Sequence, residues 1–291
     1  MRLFLTGATG FVGSHVLSAA LAAGHEVIAL RRTPATGPVV PLDCQPEWCS
    51  GDLATLQASQ LRGVDAVVHL AATGVSPKSA SWYELVQTNV ILSLRLMELC
   101  GVAGVQRIVV AGTCHEYGSA ALRYFAIPPD APLEPLNPYG ASKAAAFQIM
   151  RTFSSQQGLE LFYGRLFSVY GEGQFEGNFW PSLRRVALAG EDFPMTSGRQ
   201  ISDFIPVASV AAHLLAACSR SDMTPGSPLV ANIGSGQPKT LLEFAESEWN
   251  RLGATGKLLP GALPDRSDQI YRMVADLRGL SVAPCAVVQT Q

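Results

Sequence analysis

Along the first 170 residues, short and almost wholly apolar runs alternate with longer stretches whose apolar positions recur at helical spacing. The runs at 3–6, 26–30, 66–70, 107–111 and 160–165 read as strands, with a further strand around Trp48. Val64-Asp65-Ala66-Val67-Val68-His69-Leu70 hardly alternates, as expected of a strand covered on both faces. Between the runs, the periodicity predicts helices over 13–23 (closed by Gly24), 82–102 and 138–157. The last is fully punctuated, with Asn137 as N-cap, Pro138 in the first turn and Gly158 at the stop. Strand and helix in alternation predict βαβ units and an α/β fold, a doubly wound parallel sheet of Rossmann type.

After Tyr170 the pattern loosens. Gly, Pro and aromatic residues crowd 171–181, and the helices predicted over 181–189, 207–219 and 241–252 are separated by longer loops. The expected organisation is a dinucleotide-binding domain over 1–170, rejoined by about 207–233 through a strand at 229–233. Residues 171–206 and 234–291 would form a smaller mixed α/β lobe over the carboxyl ends of the strands, where open α/β sheets bind ligands.

Composition narrows the function classes. The chain of 291 residues is 48% hydrophobic and only 15% charged, with a formal charge of −2. That balance carries no electrostatic footprint for nucleic acid or an anionic membrane. No continuous apolar run approaches a membrane span, and strand-like residues beginning at Arg2 leave no room for a signal peptide, so a cytoplasmic protein is expected. Cys44, Cys49, Cys100, Cys114, Cys218 and Cys285 form no C-x-x-C pair, and the five histidines make no H-E-x-x-H. Reduced thiols and no metal are expected.

The candidate chemistry begins at the first predicted turn. Gly7-Ala8-Thr9-Gly10-Phe11-Val12-Gly13 follows a strand and opens a helix. Gly7 allows the tight turn, Gly10 lets backbone approach a pyrophosphate, and Gly13 permits close helix–strand contact. The helix start adds free N–H groups for the anion. Where the second strand ends, NAD-selecting folds place a carboxylate for the ribose hydroxyls, but here the chain reads Leu30-Arg31-Arg32. NADP(H) is therefore the favoured cofactor and NAD(H) the alternative. Asp52, before Leu53, is a candidate acceptor for the adenine amino group or simply a turn former.

Tyr139 and Lys143 are four apart on a predicted helix and so share a face. A lysine ammonium favours tyrosinate, which brings a tyrosine toward service as general acid or base beside a hydride transfer. Thr113, just past the strand at 107–111, supplies a second hydrogen-bonding hydroxyl for the same oxygen.

With these residues in place, the chain resembles an extended short-chain dehydrogenase/reductase of the sugar-nucleotide epimerase/dehydratase/reductase family over nearly its whole length. The likeness rests on Thr6 to Gly13, Gly51-Asp52-Leu53, His69-Leu70-Ala71-Ala72, Thr88-Asn89-Val90, Gly112-Thr113 with Tyr117-Gly118, and Tyr139-Gly140-Ala141-Ser142-Lys143. It continues through Arg165 to Gly171, Asp203-Phe204-Ile205-Pro206-Val207 and Asn232 to Gly236. The resemblance implies that Leu70, Ala71 and Ala72 run along the cofactor, that Asn89 supports it, and that Phe167 and Ser168 meet the nicotinamide. It likewise implies a sugar-nucleotide substrate touching Thr73, Thr113, Cys114 and His115, with Asn178 at the diphosphate. By family habit, the helices at 82–102 and 138–157 would build a four-helix homodimer interface.

Departures from the family choose among its members. Its 4,6-dehydratases carry Asp-Glu after the catalytic Thr, where this chain has Cys114-His115. Relatives resembling GDP-fucose synthase use a Cys and a His where this chain has His115 and Gly173. A 4-ketoreductase acting on a 4-keto-6-deoxy sugar nucleotide is favoured, with an NAD-dependent 4-epimerase as the alternative. A non-catalytic dinucleotide sensor is a further reading, opposed by the presence of Tyr139, Lys143 and Thr113 together. The family's phosphate-binding Arg before Asp203 is Ser202 here, leaving Arg199 or Arg266 as candidates for the charge.

Overall fold

The apolar runs pair into a sheet in the computed structural model, which describes residues 1–75, 79–265 and 270–280. The strands of the first part are β1 (Arg2–Thr6), β2 (Glu26–Arg31), β3 (Glu47–Ser50), β4 (Ala66–His69), β5 (Arg107–Thr113) and β6 (Glu160–Leu166). The later ones are β7 (Ser168–Tyr170), β8 (Phe193–Met195), β9 (Ile201–Pro206), β10 (Leu229–Ile233), β11 (Pro238–Thr240), β12 (Leu258–Pro260) and β13 (Arg272–Met273). Helices are α1 (Phe11–Ala22), α2 (Trp82–Leu85), α3 (Leu92–Ala103), α4 (Pro138–Gln157), α5 (Phe179–Ala189), α6 (Val207–Ala217) and α7 (Leu241–Arg251).

Seven strands form the main sheet in the order β3-β2-β1-β4-β5-β6-β10, every neighbouring pair parallel. The order reverses between β1 and β4, the switch point where this architecture opens a ligand crevice. Alternation along β1 sends Leu3 and Leu5 to the side of α1 and α6, and Phe4 to the side of α3 and α4. Both faces are thus apolar, and β4 is buried at every position. Burying a Leu or Phe side chain of this kind contributes roughly 1.5–3 kcal/mol. The strand at 229–233 does rejoin the sheet, beside β6. In the later part, β9 pairs with β7, β11 and β13, while β8 pairs with β12.

The helix at 138–157 has the predicted bounds: the Asn137 side chain accepts from Gly140 N–H, and Gly158 closes it at φ +65°. Strand β5 runs two residues further than its apolar pattern, because Gly112 and Thr113 continue in register with Arg165 and Leu166. Thr113 therefore ends the strand rather than following it.

A second correction concerns residues Trp82–Ala103. Together they make a helical stretch of 22 residues, long and apolar enough by length and composition to cross a membrane. No continuous apolar run announces it, since Glu84, Asn89, Arg95 and Glu98 interrupt the sequence. Leu96, Met97 and Cys100 enter the sheet-side core, and the buried Asn89 and Ser93 are hydrogen-bonded, as in a core helix. Between α2 and α3, Val86–Ile91 is a π-helical turn.

Candidate active site

The Gly-rich turn fits a dinucleotide pyrophosphate on three observations. A Cβ on Gly13 would lie 1.9 Å from the Gly7 carbonyl oxygen, so helix and strand can meet this closely only through glycine. Gly7 itself has φ +73°, and a Cβ there would come within 2.7 Å of Ala71 N. The start of α1 has neither a side-chain cap nor an acidic residue in its first turn, which leaves its N–H groups for an anion. Gly10 is exposed, and Thr9, Phe11 and Val12 are half-buried around it.

Across the crevice, Thr6 links β1 to the segment after β4. Its hydroxyl oxygen accepts from Leu70 and Ala71 N–H, both at 3.2 Å, and lies 2.7 Å from His69 Nδ1. Ser93 donates its proton to the Asn89 carbonyl, so His69 must donate through Nε2 to Ser93 and accept from Thr6 at Nδ1. Asn89 holds the next segment: its side chain accepts from Thr73 N–H and donates to the Thr73 carbonyl and the Ser142 hydroxyl. Leu70, Ala71, Ala72 and Thr73 all stand half-buried along the crevice.

Tyr139 and Lys143 rise from the first turns of α4, which backs onto the turn after β5. A Cβ on Gly140 would lie 2.5 Å from the His115 carbonyl. Within the polypeptide, burial pushes the Tyr139 hydroxyl well above the ordinary phenol range, and the charge of Glu116 adds to this. Burial lowers Lys143, and Glu116 opposes that. The expectation that Lys143 brings Tyr139 down toward neutrality is thus corrected for the chain alone: desolvation dominates.

Thr113 is buried and caps the one-turn helix Cys114–Glu116; its Oγ1 accepts from His115 N–H at 3.3 Å. Burial, with Glu116 and Asp203, pushes the Cys114 thiol up to about 12, so it is inert near neutrality. The His115 side chain is exposed, yet the protein around its ring desolvates it enough to lower its pKa. Phe167 is buried 6.5 Å from the Tyr117 ring.

Residues 3–234 match the NAD dependent epimerase/dehydratase family. The chain belongs to it. Among relatives of this family, a UDP-glucose 4-epimerase of Azospirillum brasilense is 30% identical over 91% of this chain and 80% of its own length. A dTDP-6-deoxy-L-talose 4-dehydrogenase (NAD(P)(+)) of Kitasatospora kifunensis is 32% identical over 91% of this chain and 83% of its own. The solved structure of MoeE5 with UDP-glucuronic acid and NAD superposes with a TM-score of 0.80 at 32% identity, covering 96% of this chain and 91% of MoeE5. The doubly wound Rossmann-type sheet of these extended short-chain dehydrogenase/reductases is the one described above.

The remaining candidate residues are spread over the end of β2, the turn after β3, the start of α5 and the loop before β9. Arg31, half-buried, stacks 4.6 Å above the Trp48 ring, while Arg32 is exposed beside it. Asp52 Oδ1 accepts from Ala54 N–H, Thr55 N–H and the Thr55 hydroxyl, so this oxygen is committed to the turn; Leu53 is buried behind it. Asn178 stands at the N-cap of α5 without a side-chain cap bond, which leaves its amide for another partner. Arg199 is exposed, its charge felt by Asp265, and Arg266 lies outside the described residues.

Two residues beside these candidates do not stand out in the sequence. Lys239 sits directly across from Ser202 in the β9–β11 ladder, where the family's Arg is absent, and its charge reaches Glu243 and Glu248 of α7. Only strand register could have found it. Glu116, wholly buried, accepts from Thr113 N–H at 2.8 Å. An acid three residues after a Thr is a capping-box signal that was available.

Proposed function

We propose that this chain reduces the 4-keto group of a nucleotide-activated 4-keto-6-deoxy sugar with NADPH, as a member of the wider class of NAD(P)-dependent enzymes acting on nucleotide sugars. The dinucleotide, when bound, supplies the hydride. Gly7, Gly10, Gly13 and the start of α1 hold its pyrophosphate, Arg31 and Arg32 its adenosine side, and Leu70, Ala71 and Ala72 flank it, with Asn89 bracing the segment. Tyr139 gives its proton to the sugar's carbonyl oxygen, Thr113 donates a hydrogen bond to that oxygen, and Lys143 binds the nicotinamide ribose beside Phe167. Thr73, Cys114 and His115 line the sugar, and Asn178, Arg199 and Lys239 receive the diphosphate.

The observation that carries this reading is Arg31 at the end of β2, where a carboxylate would select NAD. A panel of 4-keto-6-deoxy sugar nucleotides, followed by NADPH absorbance, tests it. Stoichiometric NADPH consumption is expected; no consumption with any member would overturn it.

A second reading, NAD-dependent 4-epimerisation, has the A. brasilense relative in its favour. Epimerisation of a UDP-hexose without net cofactor consumption would establish it in place of the first.

The homodimer belongs to the same proposal. Trp82, Tyr83, Val86, Ile91 and, on α4, Ile149 are exposed large hydrophobic residues on the helices named for that interface. Such a patch is what a second copy would cover.

A further inference from the structure

We propose that Glu116 is a positioning residue of this active site: its carboxylate, paired with Arg165, fixes the turn that presents Thr113 and supplies a buried negative charge beside Tyr139 and Lys143. The geometry is specific. One carboxylate oxygen accepts from Thr113 N–H at 2.8 Å and from the Tyr163 hydroxyl at 2.9 Å; the other accepts from Arg165 Nε at 2.7 Å. Arg165 continues to the Tyr117 hydroxyl and the Pro129 carbonyl, and Tyr117 donates to Asn232 on β10. Strand β5 makes room for the carboxylate with Gly112, where a Cβ would lie 2.7 Å from Glu116 Oε1 and 2.3 Å from the Tyr163 ring.

A buried ion pair could merely tie β5 to β6. Two features go beyond that. The carboxylate grips the backbone of Thr113, whose hydroxyl is the second donor of the proposed reaction. Its charge also lies one hydroxyl away from α4, since the Tyr163 OH that bonds Glu116 Oε1 at 2.9 Å is 3.4 Å from the Lys143 carbonyl oxygen, and it raises both Tyr139 and Lys143. The ionisable groups around it are Arg165 and Tyr163 from β6, Tyr139 and Lys143 from α4, and Cys114, His115 and Tyr117 from its own turn. A negative charge among them favours a protonated Tyr139 and a cationic Lys143, the states that a proton-donating site needs. The inference therefore rests on the reading of Tyr139 as an acid.

The first readout does not depend on the sugar. Tyrosinate absorbance of the NADP⁺ complex is titrated in the intact protein and in Tyr139→Phe, and the difference isolates Tyr139. Glu116→Gln keeps the side chain's size and removes its charge, so the midpoint should move to lower pH by roughly one unit. Glu116→Asp keeps the charge but draws it away from Thr113 N–H. It should leave the midpoint in place and slow ketosugar reduction about tenfold with unchanged NADPH affinity. An unmoved midpoint in folded Glu116→Gln, an equal shift in both variants, normal turnover in Glu116→Asp, or failure of both variants to fold would make Glu116 structural only and overturn the proposal. If the intact protein reduces no ketosugar while the midpoint still moves, the charge role stands and the substrate reading alone fails.

Discussion

The guanidinium of Arg31 lies 4.6 Å from the centre of the Trp48 ring, spanning the β2–β3 pair. Stacking occupies the face of the guanidinium and leaves its edge donors usable, and Arg31 Nε is buried with no hydrogen-bond partner. A stacked arginine is already oriented before a 2′-phosphate arrives. A charge-assisted bond of ~1.5–3 kcal/mol corresponds to a preference of roughly ten- to a hundredfold. NADPH should therefore exceed NADH in kcat/KM, and Arg31→Asp should reverse the order. A ratio that Arg31→Asp leaves unmoved would show the stack to be packing alone.

Tyr139→Phe keeps the ring and removes the proton donor. Turnover should fall by ~10²-fold or more with cofactor affinity intact, measured by fluorescence titration beside steady-state rates. Lys143→Met should lose more, because a contact to the cofactor goes with it. Near-normal turnover in the phenylalanine variant would remove Tyr139 from the mechanism.

His69 makes stability depend on pH. Burial, helped by the charge of Lys143, lowers its pKa from 6.5 to about 3. The unfolded chain therefore binds a proton between those values that the folded chain refuses. The stabilisation from keeping this imidazole neutral is fully present above about pH 6.5 and is lost as pH falls toward 3, at about 1.4 kcal/mol per unit. Urea denaturation of wild type and His69→Gln at pH 7 and pH 5 isolates this contribution. The gap between them should narrow by about 2 kcal/mol at the lower pH; a constant gap would contradict the assigned neutral state.

The exposed face of α2 and α4 predicts an assembly. Wild type should sediment as a dimer, and Tyr83→Arg combined with Ile149→Glu should sediment as a monomer with unchanged circular dichroism. A monomeric wild type would leave Tyr83, 77% exposed, as ordinary surface.

How much of this was legible in the sequence varies with the range of the forces involved. Helix α4 was readable to the residue, because Asn137, Pro138 and Gly158 act within one turn of its ends. Strands β1, β2, β4, β5 and β6 were readable because burial on both faces leaves a dense apolar signature, which the edge strand β3, with no buried position, lacks. Strands β11, β12 and β13 are two or three residues long and carry no period to detect. The Gly turn, Tyr139, Lys143 and Thr113 stand out as candidates through spacing and context alone. Lys239 does not, since its relation to Ser202 is a cross-strand register that no local pattern encodes. Glu116 sat in plain view, yet its burial and its bond to Arg165 are tertiary facts.

The π-helical turn Val86–Ile91 sets where this region can change length. Its wider winding carries one residue more than an α-turn, and a single residue is worth about 100° of rotation along a helix. Deleting one residue within it would let α2 and α3 fuse into one regular helix with their faces kept, because the wide turn already spends its extra residue on the same rotation. One residue more or fewer within α3 would instead swing everything upstream by that angle. Leu85, now 2% exposed and close against Gly74, would leave its seat, and Asn89 would turn away from Thr73 and Ser142. A change of length is thus best absorbed at 86–91, whereas one within α3 would dislodge the segment that runs from β4 past α4.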